Sequence, residues 1–126
     1  MSLSLLTDEQ ISPVVAEEIT RKRSDIKIVS IADWHNGDFK GKADSAILKM
    51  AFQEKLTLVS YDLKTILPMI AEWGFLGESH GGILFVDNYS IPSYDKGGLV
   101  VALIEFWDIA KDWDWQNVIS YLKPVR

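Results

Sequence analysis

The chain contains no cysteine. A disulfide scaffold, a thiolate metal site and a cysteine nucleophile are therefore excluded. Histidine is scarce too, with two in 126 residues, so any metal ion must be held by oxygen or by those imidazoles. Long apolar runs are missing. None approaches the roughly 20 residues needed to cross a bilayer, and no basic segment followed by a long apolar stretch opens the chain. The expectation is a cytoplasmic protein without a membrane contact. Positive charge is in deficit, the net charge being −5, whereas non-specific nucleic-acid binding rests on an excess of Lys and Arg. The deficit counts against a broad basic nucleic-acid surface. It does not exclude a nuclease, because carboxylates gathered around divalent cations lower the formal charge in the same way. No P-loop or dinucleotide fingerprint follows any apolar run, and there is no internal repeat, linker or low-complexity stretch.

What is present is a globular balance. Apolar residues make up 48% and charged residues 25%, which leaves no segment polar enough for disorder and predicts one domain over residues 1–126. Leu3-Ser4-Leu5-Leu6 reads as a buried strand that stops at Thr7-Asp8-Glu9-Gln10. Ser12 and Pro13 open a helix that runs through Val14, Val15 and Ile19 to Arg21-Lys22-Arg23, with the cations in its last turn. Ile26 to Ile31 is β-branched and gives a second strand, followed by the loop Asp33-Trp34-His35-Asn36-Gly37. Apolar residues at helical spacing predict a helix from Lys42 to Lys55. A third strand spans Leu56 to Ser60, and a short helix is expected from Thr65 to Trp73, closed by Gly74 and with Pro68 in its first turn. Gly82 to Val86 forms a fourth strand and Lys96 to Ala110 a long helix. The tail from Asp112 to Leu122 fits either a short helix or an edge strand. Strands alternating with helices predict right-handed βαβ units, and so an α/β fold with a central, mainly parallel sheet of four to five strands and helices on both faces.

In open α/β sheets ligands bind beyond the carboxyl ends of the strands, where the strand order reverses. That rule selects Asp8 and Glu9 after the first strand, Asp62 after the third and Asp87 after the fourth. Asp44, in the first turn of the helix leading to the third strand, lies at the same end. Carboxylates converging there without cationic partners repel one another by several kcal/mol at short range unless a cation sits between them. Oxygen-only ligands suit Mg²⁺ or Mn²⁺, and the chemistry implied is metal-assisted phosphodiester hydrolysis. Each acid alone also has a plain structural reading, since Asp makes turns after strands and caps helices. His35 is a weaker candidate for substrate contact. Gly81-Gly82 after His80 allows a turn into the fourth strand, Arg21-Lys22-Arg23 reads as a solvated helix end or a phosphate contact, and the tryptophans from Trp107 to Trp115 as core or as a dimer surface.

Three segments carry a resemblance. Leu5-Leu6-Thr7-Asp8-Glu9-Gln10-Ile11-Ser12-Pro13, Ala43-Asp44-Ser45-Ala46-Ile47-Leu48 and Leu58-Val59-Ser60-Tyr61-Asp62 resemble, in order and spacing, the signature motifs of small PIN-like domains. These are related to the toxin nucleases of type II toxin–antitoxin pairs. In that group the first motif usually reads Asp-Glu-Asn, the second carries an acid before an apolar helix, and the third reads Thr-x-Asp. His80-Gly81-Gly82-Ile83-Leu84 resembles the group's approach to its fourth strand, so the likeness runs from Leu3 to about Val86. It implies a three-layer α/β/α PIN-like domain, with Asp8, Asp44 and Asp62 as the catalytic and metal-binding acids for Mg²⁺ or Mn²⁺. Glu9 then supports them, and Ser60 stands where the family often has threonine. The implied partners are an RNA substrate and an antitoxin protein. Two departures matter: Gln10 replaces the usual asparagine, and Leu63-Lys64-Thr65-Ile66 stands where many relatives have a further acid followed by phenylalanine. The thinner acid set keeps a non-catalytic PIN-like interaction module as the alternative. A receiver-like phosphoacceptor domain is a third reading, because Asp8-Glu9 and Asp62 match its layout; it needs a lysine ending its fifth strand and a helix beyond, and Lys123-Pro124 falls at the chain's end.

Overall fold

In the computed structural model, which describes residues 3–125, strands and helices alternate along the chain. The order is β1 (Ser4–Thr7), α1 (Pro13–Lys22), β2 (Lys27–Ser30), α2 (Asp44–Gln53), β3 (Thr57–Ser60), α3 (Leu63–Leu76), β4 (Ile83–Val86), α4 (Lys96–Ala110) and β5 (Ile119–Leu122). All four ladders are parallel, and the strands lie in the order β2-β1-β3-β4-β5. The mainly parallel sheet expected from the sequence is wholly parallel, with five strands.

Alternation along the strands feeds two cores. Leu5, Val59 and Leu84 point to the side covered by α1 and α4, where they meet Val15, Ile19, Leu103 and Trp107. Leu6, Leu58, Ile83 and Phe85 point the other way, into α2 and α3 through Ile47, Leu48, Ile66 and Ile70. β3 and β4 are buried on both faces, which is why they read as unbroken apolar runs. Each such Leu or Ile contributes about 1.5–3 kcal/mol relative to an exposed one.

The layering departs from the expected handedness at one connection. β1 to β2 steps one way across the sheet, and β2 to β3, β3 to β4 and β4 to β5 step the other way. α1 lies on one face and α2 and α3 on the opposite face, so those three connections share a hand; α4 lies with α1, so its connection has the opposite hand. Specific bonds hold α4 there. The Trp107 indole donates to the Leu3 carbonyl at 2.7 Å, the Leu3 N–H donates to the Lys111 carbonyl at 2.9 Å, and the Arg23 guanidinium bridges Asp25 at 2.9 Å and Asp108 at 2.8 Å. Arg21 pairs with Glu18 at 2.5 Å. The basic cluster thus includes a fastener between α1 and α4, not a row of free phosphate contacts.

Two element boundaries also differ from expectation. Asp62 caps α3 from Leu63, which puts Pro68 in the second turn; the helix passes Gly74 and ends at Gly77, whose left-handed φ of 73° closes it. Gly74 reads locally as a stop, yet the apolar face continues through Trp73 and the left-handed position comes later. The ambiguous tail is a strand, β5, at the edge of the sheet. Of the tryptophans singled out, Trp107 and Trp115 are buried and Trp113 stacks on Trp115, so they serve mainly as core.

The turn into β4 depends on glycine. Gly82 has a φ of +98°, and a Cβ there would lie 2.7 Å from the Trp115 carbonyl oxygen. Gly82→Ala is expected to lower stability by about 2 kcal/mol or more, read from the urea midpoint. An unchanged midpoint would contradict the close approach.

Candidate metal centre at the strand ends

The strand order reverses between β1 and β3, and the carboxyl ends of these two strands form the base of the candidate site. The Asp8 N–H donates to the Val59 carbonyl at 3.0 Å, carrying the β1–β3 pairing one residue further. That places the Asp8 side chain in a buried position, 6% exposed. One carboxylate oxygen accepts from the Glu9 N–H at 2.8 Å and the other from the Ser60 hydroxyl at 2.7 Å. Ser60, fully buried, also accepts from the Asp62 N–H at 3.0 Å. Backbone of Asp62, hydroxyl of Ser60 and carboxylate of Asp8 therefore form one chain of hydrogen bonds across the reversal point.

Asp62 caps α3, with one oxygen accepting from the Thr65 N–H at 3.3 Å. Tyr61 points away from it and donates to the Ile91 carbonyl at 2.7 Å; burial, with Asp95 nearby, pushes the phenol up to about 12 and keeps it a donor. Asp44 is the first residue of α2 and is half-buried. Burial, then the charges of Asp8, Asp62 and Glu9, push the Asp44 carboxyl above the ordinary Asp range. Asp44 is thus near enough to the other three to feel their charges. Among the described residues none of Asp8, Asp44 and Asp62 belongs to an ion pair.

The other sequence candidates take different places. Glu9 accepts from the Gly41 N–H, tying the loop after β1 to the loop that delivers Asp44. Asp87 accepts from the Tyr89 N–H and the Ser90 hydroxyl, the bonds of a turn, and adds nothing to the Asp44 shift. His35 meets Glu54, which also accepts from the Trp34 indole at 3.0 Å, while Trp34 packs against Phe39 with ring centroids 4.6 Å apart. Burial raises the Glu54 carboxyl, but the bonds from Trp34 and His35 outweigh it and hold it below the ordinary range. His35 is in this way a brace of the β2–α2 loop. Lys42 and Lys64, two residues before Asp44 and two after Asp62, were not singled out from sequence; their adjacency to the acids was the available signal.

The donor set is all oxygen, as a hard divalent cation requires. Among the described residues no three carboxylates or imidazoles stand close enough to enclose a metal ion as placed. The residues fit such an ion in donor type. No helix among the described residues is long and apolar enough to cross a membrane. Compared with protein-family models, with curated proteins and with solved structures, the chain matches none.

The electrostatics set a pH dependence. A carboxyl raised in the folded state favours folding while protonated, and that contribution disappears as pH rises through its folded pKa. In the absence of divalent cations, Asp44→Asn is expected to be more stable than the parent at neutral pH, with the gap narrowing as pH falls through the raised folded pKa and gone below about 3.9. Urea unfolding of both proteins across this range checks it; a gap independent of pH would contradict the mutual repulsion.

Proposed function

We propose that this chain is a metal-dependent endoribonuclease of the PIN-like kind. The observation supporting the reading is that Asp8 follows β1, Asp62 lies between β3 and α3 and Asp44 opens α2, with the Asp44 carboxyl raised by burial and then by the charges of Asp8, Asp62 and Glu9. Burial without a cationic partner is costly for such a group, and a divalent cation removes the cost.

Asp8, Asp44 and Asp62 are the residues that would hold Mg²⁺ or Mn²⁺. Bound there, the ion would supply a water of lowered pKa and charge stabilisation at the scissile phosphate. Asp8 is held rigid by Ser60 and the Glu9 N–H, so its carboxylate is preorganised. Asp62 retains an oxygen not used in capping Thr65. Glu9 positions the loop bearing Asp44 through Gly41. As a toxin, the protein would be held in check by an antitoxin covering this crevice.

The receiver-like reading has specific support as well. The order β2-β1-β3-β4-β5 belongs to doubly wound domains of that type, and Lys123 directly follows β5. Against it, α4 lies beside α1 with the opposite hand, and Asp62 stands two residues beyond β3 as a helix cap.

Incubation of the purified protein with RNA and Mn²⁺, beside Asp62→Asn, separates the readings. Asn retains the capping oxygen, so the variant is expected to fold and to cleave at least about 100-fold more slowly. Equal cleavage by both proteins overturns the assignment. No cleavage by either overturns the nuclease and leaves the interaction module or the receiver.

A further inference from the structure

β5 is an edge strand, paired on one side with β4 and on the other with nothing among the described residues. Natural edges are usually blunted by charge, proline or a covering element. β5 reads Ile-Ser-Tyr-Leu, without a charge. It also lacks cover, because α4 lies on the α1 side and α3 reaches only partly across: Ile119 is 39% exposed and Tyr121 52% exposed. A groove of about 560 Å³ runs between α3 and β5, lined by Leu67, Ile70, Ala71 and Ile119, with His80 and Asn117 at its polar end.

The backbone of this edge is self-complementary. The Ile83 N–H bonds to the Val118 carbonyl at 2.9 Å, so the backbone groups of Val118, Ser120 and Leu122 face β4 and those of Ile119 and Tyr121 face outward. Antiparallel pairing about a two-fold axis at Ser120 sets Ile119 of one copy opposite Tyr121 of the other, twice, with each such pair exchanging both backbone bonds. Opposed residues share a face, so each β-branched side chain meets an aromatic one, a favourable cross-strand pair. Each Tyr121 ring then lies over the other copy's groove beside Ile119. The charges agree too. Lys123, one residue past β5, comes level with Asn117 of the other copy, beside which Glu78 lines the same groove. Glu78 has only a 4.0 Å contact with Lys49 among the described residues. The ladder is short, limited by Pro124 at one end and by Asn117, with a φ of +62°, at the other.

We propose that the free edge of β5 is a two-fold interface between two copies of this chain, joining their sheets into one. The interface is independent of the acidic crevice, which lies at the strand ends, and stands whether or not that crevice cleaves RNA.

Light scattering on a sizing column over a concentration series tests it. The full chain is expected to show twice the monomer mass at high concentration and to dissociate on dilution. Ile119→Lys, which places a like charge on both sides of the axis, is expected to give the monomer mass with an unchanged circular dichroism spectrum. If that variant misfolds, the charge swap decides: Lys123→Glu and Glu78→Lys should each weaken the dimer at least about tenfold, and the double variant should restore it. A monomer at every concentration overturns the proposal and leaves the edge to a strand of another protein. A folded Ile119→Lys dimer, open polymers, or charge variants without effect also overturn it.

Discussion

The hydrogen bond from the Ser60 hydroxyl to the Asp8 carboxylate joins the ends of the two strands between which the chain reverses its direction across the sheet. Much of the site depends on it. A carboxylate 6% exposed needs donors, and Asp8 has the Ser60 hydroxyl and the Glu9 N–H. Because Ser60 also receives the Asp62 N–H, the residue that steadies Asp8 sets where α3 begins. Asp62 then caps that helix with one oxygen, and Glu9, through Gly41, delivers Asp44 to the same crevice. Asp44 lies near enough to the others that burial first, and then the charges of Asp8, Asp62 and Glu9, raise its carboxyl. Folding keeps this arrangement because the two apolar cores beneath it supply far more free energy than the repulsion removes.

A second constraint shapes the opposite margin of the sheet. A helix placed on the α2–α3 side after β4 would cover β5, as in an ordinary doubly wound sheet. Here Trp107, Leu3 and the Arg23–Asp108 pair hold α4 beside α1, filling the flank that a helix after β5 would occupy. Completing the core on one face thus leaves the last strand bare on the other. The acidic strand ends and the bare edge are separate consequences of one chain path.

The strands and most helices were legible because their signals are local. Short apolar runs that stop before Asp8 and Asp62, and 3.6-residue spacing in α2 and α4, depend on neighbours in sequence. The positions of Asp8 and Asp62 just beyond strands, and of Asp44 in the first turn of α2, were legible in the same local way. What escaped sequence was non-local. The face taken by α4 rests on contacts between residues about a hundred apart, such as Leu3 and Trp107. The partner of Glu9, a supporting acid in the sequence, is the Gly41 backbone N–H, which no residue type announces. His35 looked free because Glu54 approaches from the far end of α2. The end of α3 was misplaced because Gly74 and Gly77 are equally good stops locally, and only packing of Trp73 and the left-handed turn at Gly77 distinguish them.

The central claim is that the carboxylates at the β1/β3 reversal form a divalent-cation site. Paramagnetic broadening of backbone amide signals by substoichiometric Mn²⁺ locates any such site directly. Broadening should centre on residues 8–10, 41–45 and 60–65 and should vanish in Asp8→Asn. Broadening centred elsewhere, for instance on Asp112 and Asp114, or no selective broadening at all, would contradict the account.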